Sequence, residues 1–210
     1  MDLEKLKKEQ IELSSKVSII GTHKEIKTIG GCDQLVIGDE IYSCVVLCDA
    51  DNFSVLEKTF AIRKVDFPYV PGFLAYREAP VIIDAFSKLK NKPDLMMIDG
   101  NGILHPRRFG IASHLGVTLN IATIGVAKKL LIGRVEKDKV FVGEELRAMR
   151  LETKKGANPI YISPGHMVSV LRSYEIAKNS IKPPHKLPEP LHLAHKYVSR
   201  IKENVSQVEE

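Results

Sequence analysis

A mixed α/β fold in one domain is what the 210-residue sequence predicts, on three observations. Strand-like runs at 26–37, 40–48 and 55–64 follow one another across short turns at Gly38-Asp39-Glu40 and Asp49-Ala50-Asp51-Asn52, the spacing of a three-stranded antiparallel meander. Leu95 to Ile98 is continuously apolar, the mark of a short strand covered on both faces in a mostly parallel sheet. Helical and strand-like segments then alternate, with no internal repeat and no low-complexity tract.

Each element has a local reason. Residues 1–16 form an amphipathic helix pattern, with Leu3, Leu6, Ile11 and Leu13 set among charges. After the meander, Val65-Asp66-Phe67-Pro68-Tyr69-Val70-Pro71-Gly72 is a loop that two prolines stiffen. Pro80 suits the start of a helix that carries Ile82, Phe86 and Leu89 on one face and stops before Pro93. A helix rich in small residues is expected at 106–117, opened by Pro106, and another apolar strand at 122–127. A hairpin is expected around Glu136-Lys137-Asp138-Lys139. Residues 165–181 have helical spacing at Met167, Val170, Leu171, Tyr174 and Ile176. An extended proline-rich connector at 182–190 then leads into a last helix at 191–205.

Composition narrows the class. Hydrophobic residues make up 44% and charged residues 27%, ordinary values for a globular domain with a sizeable core. No apolar run is long enough to span a membrane, and the mixed charges of the first ten residues are unlike a signal peptide, so the chain is expected in the cytoplasm. Cys32, Cys44 and Cys48 lie in strand-like sequence without zinc spacing and are expected as buried free thiols. The net charge of +5 permits an anionic partner such as nucleic acid without proving one.

The chemistry centres on Asp99. It ends the buried strand, at the edge where open α/β sheets bind ligands. Gly100 and Gly102 follow and leave no side chain between the backbone and whatever docks there. Arg107 and Arg108, if Pro106 opens a helix, sit at the positive end of its dipole, where each charge costs about 0.3–1 kcal/mol unless an anion is near. A phosphate would offset that cost. Asp33 interrupts the apolar run 29–37, where an unpaired charge is expensive to bury. Glu78 stands between Arg77 and Pro80. If the first and fourth strands are neighbours, Asp33 and Asp99 can share a divalent cation, with Glu78 reaching in from a helix entry. Oxygen-only ligation suits magnesium or manganese, and such an ion activates water and stabilises the leaving oxygen of a phosphodiester.

Lys128 follows the strand 122–127 on the same edge, where a lysine can hold a phosphate. His105 and His195 can act as acids, bases or phosphate contacts. Tyr69, at the tip of the stiff loop, can wedge into a base stack. Taken singly, each residue also has a structural reading: Asp99 as a turn cap, Asp33 as a bulge residue, Glu78 as a helix-dipole partner, Lys128 as a solvated strand end, the histidines as core groups and Tyr69 as a lid on the core edge.

Three blocks resemble the signature sequences of the endonuclease V family in order and spacing. They run from Pro68-Tyr69-Val70-Pro71-Gly72 to Pro80, from Asp99-Gly100-Asn101-Gly102 through His105-Pro106-Arg107-Arg108 to Gly116, and from Thr123 through Lys128-Lys129 to Leu130. The resemblance implies an RNase H-like fold and magnesium-dependent nicking at the second phosphodiester 3′ to hypoxanthine (inosine), with manganese as a substitute ion. It implies Asp33, Asp99 and Glu78 as catalytic carboxylates and metal ligands, Lys128 as the phosphate-stabilising lysine, His195 as the late active-site histidine and Tyr69 as the wedge. Gly72, Leu74, Gly100, His105, Gly110 and Ile111 would form the pocket for the displaced base, with Pro71, Gly102 and Arg107 beside it. Inosine-containing DNA is the implied partner, RNA remains open, and a monomer is expected. Gln34 and Asn101 depart from the family's usual residues, which bears on lesion preference more than on the carboxylates. A branched-DNA nuclease of the same fold, an inosine-specific ribonuclease and a non-catalytic nucleic-acid-binding module are the competing readings.

Overall fold

The computed structural model describes residues 2–21, 25–154 and 156–206. It opens with α1 (Leu3–Ser14), whose Asp2 cap accepts the N–H groups of Glu4 and Lys5 at 3.0 and 3.1 Å. The strands β1 (Thr28–Ile37), β2 (Glu40–Asp49) and β3 (Val55–Lys64) form the antiparallel meander, with Gly38 taking the left-handed turn position at φ 58°. Next come α2 (Leu74–Ser87), β4 (Leu95–Asp99), α3 (Ile111–Leu119) and β5 (Ala122–Ala127). The chain then runs through β6 (Arg134–Glu136), β7 (Lys139–Val142), β8 (Glu145–Leu151), β9 (Ile160–His166), α4 (Val170–Asn179) and α5 (Glu189–Ser206). All nine strands join one sheet in the order β3-β2-β1-β4-β5-β9-β8-β7-β6.

β4 lies at the centre, parallel to β1 on one side and to β5 on the other. Its alternation divides the core. Met96 and Ile98 pack with Ala79, Ile82 and Phe86 of α2 and Leu115 of α3, whereas Leu95 and Met97 pack with Ile176 of α4 and Leu191 of α5. Burial on both faces is why four successive apolar residues form a strand here. α5 also covers Cys44 and Val46 of β2 through Ala194 and Val198. The three cysteines are buried free thiols, as expected, and burial pushes the Cys44 and Cys48 thiols up to about 12. Among the described residues no helix is long and apolar enough to cross a membrane.

Three expected boundaries differ from the observed ones. α2 begins at Leu74, so Pro80 lies inside it and Glu78 sits mid-helix rather than at its entry. The missing N–H of Pro80 forfeits one backbone bond, but the stripe of Ala75, Ala79, Ile82 and Phe86 buried against the sheet holds the helix together. α3 begins at Ile111, not at 106. Residues 100–110 instead form a loop: Arg108 adopts φ 57°, and the N–H groups of Gly110, Ile103 and Gly102 donate to Gly102 O, Pro164 O and Ser163 Oγ at 3.0, 2.9 and 2.8 Å. Arg107 and Arg108 therefore do not stand at a helix N-terminus. The segment 165–181 is split, because Gly165 and His166 complete β9 against β5, and Ser169 caps α4 only after them. The connector before α5 is bent rather than extended, His185 N–H donating to Lys182 O at 2.9 Å.

Candidate active site

The parallel pairing of β1 with β4 brings Asp33 and Asp99 to the same sheet edge. Asp33 is 9% exposed, and its Oδ2 lies 2.7 Å from Nδ1 of His195, which α5 carries over β1. Lys128, just past β5, donates to Oδ2 of Asp99. One small recess is lined by Asp33, Asp99, Lys128 and His195 together. Glu78 approaches from α2. Burial, reinforced by the charges of Asp99 and Asp33 and opposed by Arg77, lifts its carboxyl to about 7. Burial likewise raises Asp33, against the His195 hydrogen bond and with the Asp99 charge. Burial pulls the Lys128 ammonium down, but its bond to Asp99 and the two aspartate charges outweigh that and raise it.

These shifts test the site for a metal. Glu78 and Asp33 are both raised, by burial first and by the Asp99 charge beside them, the behaviour of carboxylates short of cationic charge. As the side chains stand, no three histidine, cysteine, aspartate or glutamate groups among the described residues are gathered as a ready ligand cluster. Lys128 and His195 engage the two aspartates instead. The donor chemistry fits a hard divalent cation.

The raised carboxyls have a consequence for stability. A carboxyl with a folded pKa above its unfolded value favours the fold while protonated; for Glu78 that contribution is complete below its ordinary 4.5 and is lost as pH rises through about 7. In chelator, the melting temperature is expected to fall across that window, and Glu78→Gln to flatten the fall. Parallel slopes for the two proteins in calorimetry would contradict it.

Beside the carboxylates opens a cavity of about 150 Å³. Tyr69, Pro71, Gly72, Leu74, Gly100, His105, Gly110 and Ile111 line it, all of them expected, together with Gln10, Val70, Ala75, Asn101, Phe109 and Leu131. Two links join cavity to carboxylates: Gly100 follows Asp99, and Glu78 lies one helical turn beyond Leu74 on the same face of α2. Neither α2 nor α3 has a side-chain N-cap. The first-turn N–H groups of Leu74, Ala75 and Ile111, all residues of the cavity lining, are therefore not engaged by a capping side chain. Added bulk is excluded at the wall, since a Cβ on Gly110 would stand 2.2 Å from Asn101 O and one on Gly100 2.6 Å from Ile111. Tyr69, 70% exposed, stands at the rim.

Gly102 and Arg107, expected beside the pocket, lie behind its wall. Gly102 is buried behind the wall, where its α-carbon meets Pro164 so closely that a Cβ would lie 2.0 Å from that carbonyl. Arg107 also lies behind the wall, stacked over the Phe73 ring with Nη2 2.6 Å from Gly72 O. Burial and the Arg107 charge push His105 down to about 4, which leaves the ring neutral at pH 7. Its Nε2 faces Gly72 O at 3.2 Å while Nδ1 accepts the Arg107 N–H at 3.2 Å, and this pair of bonds assigns the proton to Nε2.

Sequence reading missed the supports. Glu145 on β8 binds both Arg108 and Arg147, at 2.8 and 2.7 Å, and Arg147 reaches the His105 carbonyl at 3.0 Å. Burial works against ionisation of Glu145, but the two arginines hold its carboxyl below the ordinary range. This triad fixes the loop 100–110 from behind. Gln10 was missed as well, although a polar residue in the Leu3, Leu6, Leu13 stripe of α1 was a visible signal.

The sequence matches the family model described as Endonuclease V over residues 11–196. The chain belongs to the endonuclease V family. Endonuclease V of Dictyoglomus thermophilum is 42% identical over 197 residues, 90% of this chain and 86% of that protein. The crystal structure of endonuclease V from Streptomyces avermitilis superposes with a TM-score of 0.88 at 31% identity, covering 97% of this chain and 94% of that one. Endonuclease V of Ciona intestinalis, solved in complex with a 24mer DNA containing an inosine followed by a ribo-adenosine, gives 0.86 at 27% identity, with 97% and 98% covered. Endonucleases V are divalent-metal-dependent nucleases, and the α/β, RNase H-like fold expected from the resemblance is the one observed.

Proposed function

We propose that this protein recognises hypoxanthine (inosine) in a nucleic acid strand and hydrolyses the second phosphodiester on its 3′ side, with Mg²⁺ as the ion and Mn²⁺ able to replace it. The observation that carries the reading is a small donor-lined cavity joined to three carboxylates by Asp99-Gly100 and by one turn of α2. The oxygen at position 6 of hypoxanthine accepts hydrogen bonds, and the N–H groups of Leu74, Ala75 and Ile111 offer them. Adenine presents an amino group there, and donor facing donor is unfavourable. The tight glycine positions refuse bulk.

Asp33, Glu78 and Asp99 would hold the cation, which when bound supplies Lewis acidity and charge at the scissile phosphodiester. Lys128, beside Asp99, would add a second positive charge that stabilises the anionic phosphoryl oxygens. His195, its side chain 61% exposed and paired with Asp33, would move a proton to or from the reacting oxygens. Tyr69 fills the gap that a displaced base leaves in the stack. Tyr69→Ala is expected to lower the preference for inosine about tenfold, the worth of one base-stacking contact, with cation-dependent cleavage retained. Unchanged preference would remove Tyr69 from recognition.

The test is cleavage of end-labelled DNA and RNA strands carrying one inosine or none, with Mg²⁺ or with chelator. A single Mg²⁺-dependent cut one nucleotide beyond inosine supports the proposal, and the better-cut strand names the substrate. Cleavage of branched DNA in preference to inosine duplexes would favour a structure-selective nuclease instead.

A further inference from the structure

Among the described residues, α1 buries a single side chain fully, and it is not one of its leucines but Gln10, 1% exposed. A carboxamide buried in an apolar stripe costs free energy unless its hydrogen bonds are made. Gln10 makes them across the chain: Nε2 donates to Gly72 O at 3.1 Å, and Oε1 accepts from Nε of Arg107. Arg107 Nη2 and His105 Nε2 donate to the same Gly72 oxygen, at 2.6 and 3.2 Å. Three donors thus meet a carbonyl that has two lone pairs. α1 is fastened beside them by Tyr76, whose hydroxyl donates to Leu6 O at 3.2 Å.

We infer that Gln10 is a specificity-determining positioning residue that keeps the Gly72 carbonyl at the cavity wall occupied, so that the amino group of a 6-aminopurine finds no acceptor there. The inference rests on the function proposed above and deepens it. Gly72 lies at the cavity, and an unoccupied carbonyl there would accept an adenine amino hydrogen. Gln10 satisfies that oxygen directly and holds the Arg107 guanidinium in the orientation that satisfies it again. Acceptors beside it are engaged in turn: Gln10 Oε1 takes Arg107, His105 Nδ1 takes the Arg107 N–H, and Asn101 O takes the Ala112 N–H at 3.0 Å. N–H groups at the starts of α2 and α3 remain. Rejection of adenine is then built from an occupied Gly72 carbonyl as well as from the donors.

Two variants test this in the full-length protein. Gln10→Met keeps the volume and removes both hydrogen bonds, leaving the Gly72 carbonyl to His105 and to an Arg107 fork that Gln10 no longer holds in place. Gln10→Glu keeps the partner for Arg107 but places an acceptor-only carboxylate at the wall. Single-turnover cleavage of matched duplexes carrying inosine or adenosine at one position should show the inosine-to-adenosine rate ratio falling at least about tenfold in both variants, about 1.4 kcal/mol. Gln10→Glu should raise the absolute rate at adenosine. A purely structural role would slow both substrates alike and leave the ratio in place, which would overturn the inference, as would an unchanged ratio at unchanged rates. Lack of inosine cleavage by the unaltered protein would overturn the proposed function and this inference with it. Inosine cleavage with the ratio intact in both variants overturns this inference alone.

Discussion

Asp99→Asn is expected to slow strand cleavage at least about 10³-fold, equivalent to about 4 kcal/mol of lost transition-state stabilisation, with affinity for inosine-containing DNA nearly unchanged. The substitution keeps the shape of the side chain at the end of β4 and a polar partner for Lys128, but removes one negative charge. The cavity wall begins at the next residue and is made of backbone that the change does not disturb. Binding and cleavage should therefore separate. A second readout comes without substrate. The Asp99 charge is, after burial, the largest contribution lifting the Glu78 carboxyl, so in chelator the pH window over which stability falls should move down in the variant. Cleavage within tenfold of the unaltered protein would show that Asp99 holds no part of the reaction.

Gly31→Ala is expected to be the most damaging single methyl addition on β1. A Cβ there would lie 2.2 Å from Pro190 O and 2.9 Å from Leu191 N, backbone atoms at the start of α5. Neither can yield as a flexible side chain would, so the helix has to lift. Overpacking of this kind costs about 3 kcal/mol, which for a chain of this length lowers the melting temperature by roughly 6–12 °C. The loss should extend beyond stability. His195 rides on α5 and meets Asp33 two residues along β1 from Gly31, so lifting the helix parts that pair. Cleavage should fall more steeply than the folded fraction, measured at a temperature where both proteins are folded. Equal losses would mean that the position of α5 matters only for stability.

The parts of this design legible in the sequence were those carried by local pattern. The apolar run 95–98 announced a central strand, its closing carboxylate announced the edge, and short turns announced the meander. Helix entries were poorly legible. Asp2 and Ser169 cap α1 and α4, yet the helical spacing at 165–181 ran back into β9; α2 and α3 start at Phe73 and Gly110 with no side-chain cap, and Pro80 and Pro106 gave misleading signals. α2 holds through burial against the sheet, which sequence periodicity around a proline does not reveal. β9 was hidden because its residues are buried on both faces and show no alternation. The candidate carboxylates were visible one by one, but not the engagement of Asp33 by a histidine 162 positions away, nor the masking of Gly72 by α1. Long-range hydrogen bonds leave little imprint on neighbouring residues.

The pairing of Asp33 with His195 also sets a timetable. Translation delivers β1 early and α5 late, so the ribosome has joined more than 150 further residues before the histidine exists to meet its aspartate. A half-made chain lacks the helix that carries His195 over β1. The contact that orients His195 against Asp33 is thereby deferred until α5 has been made.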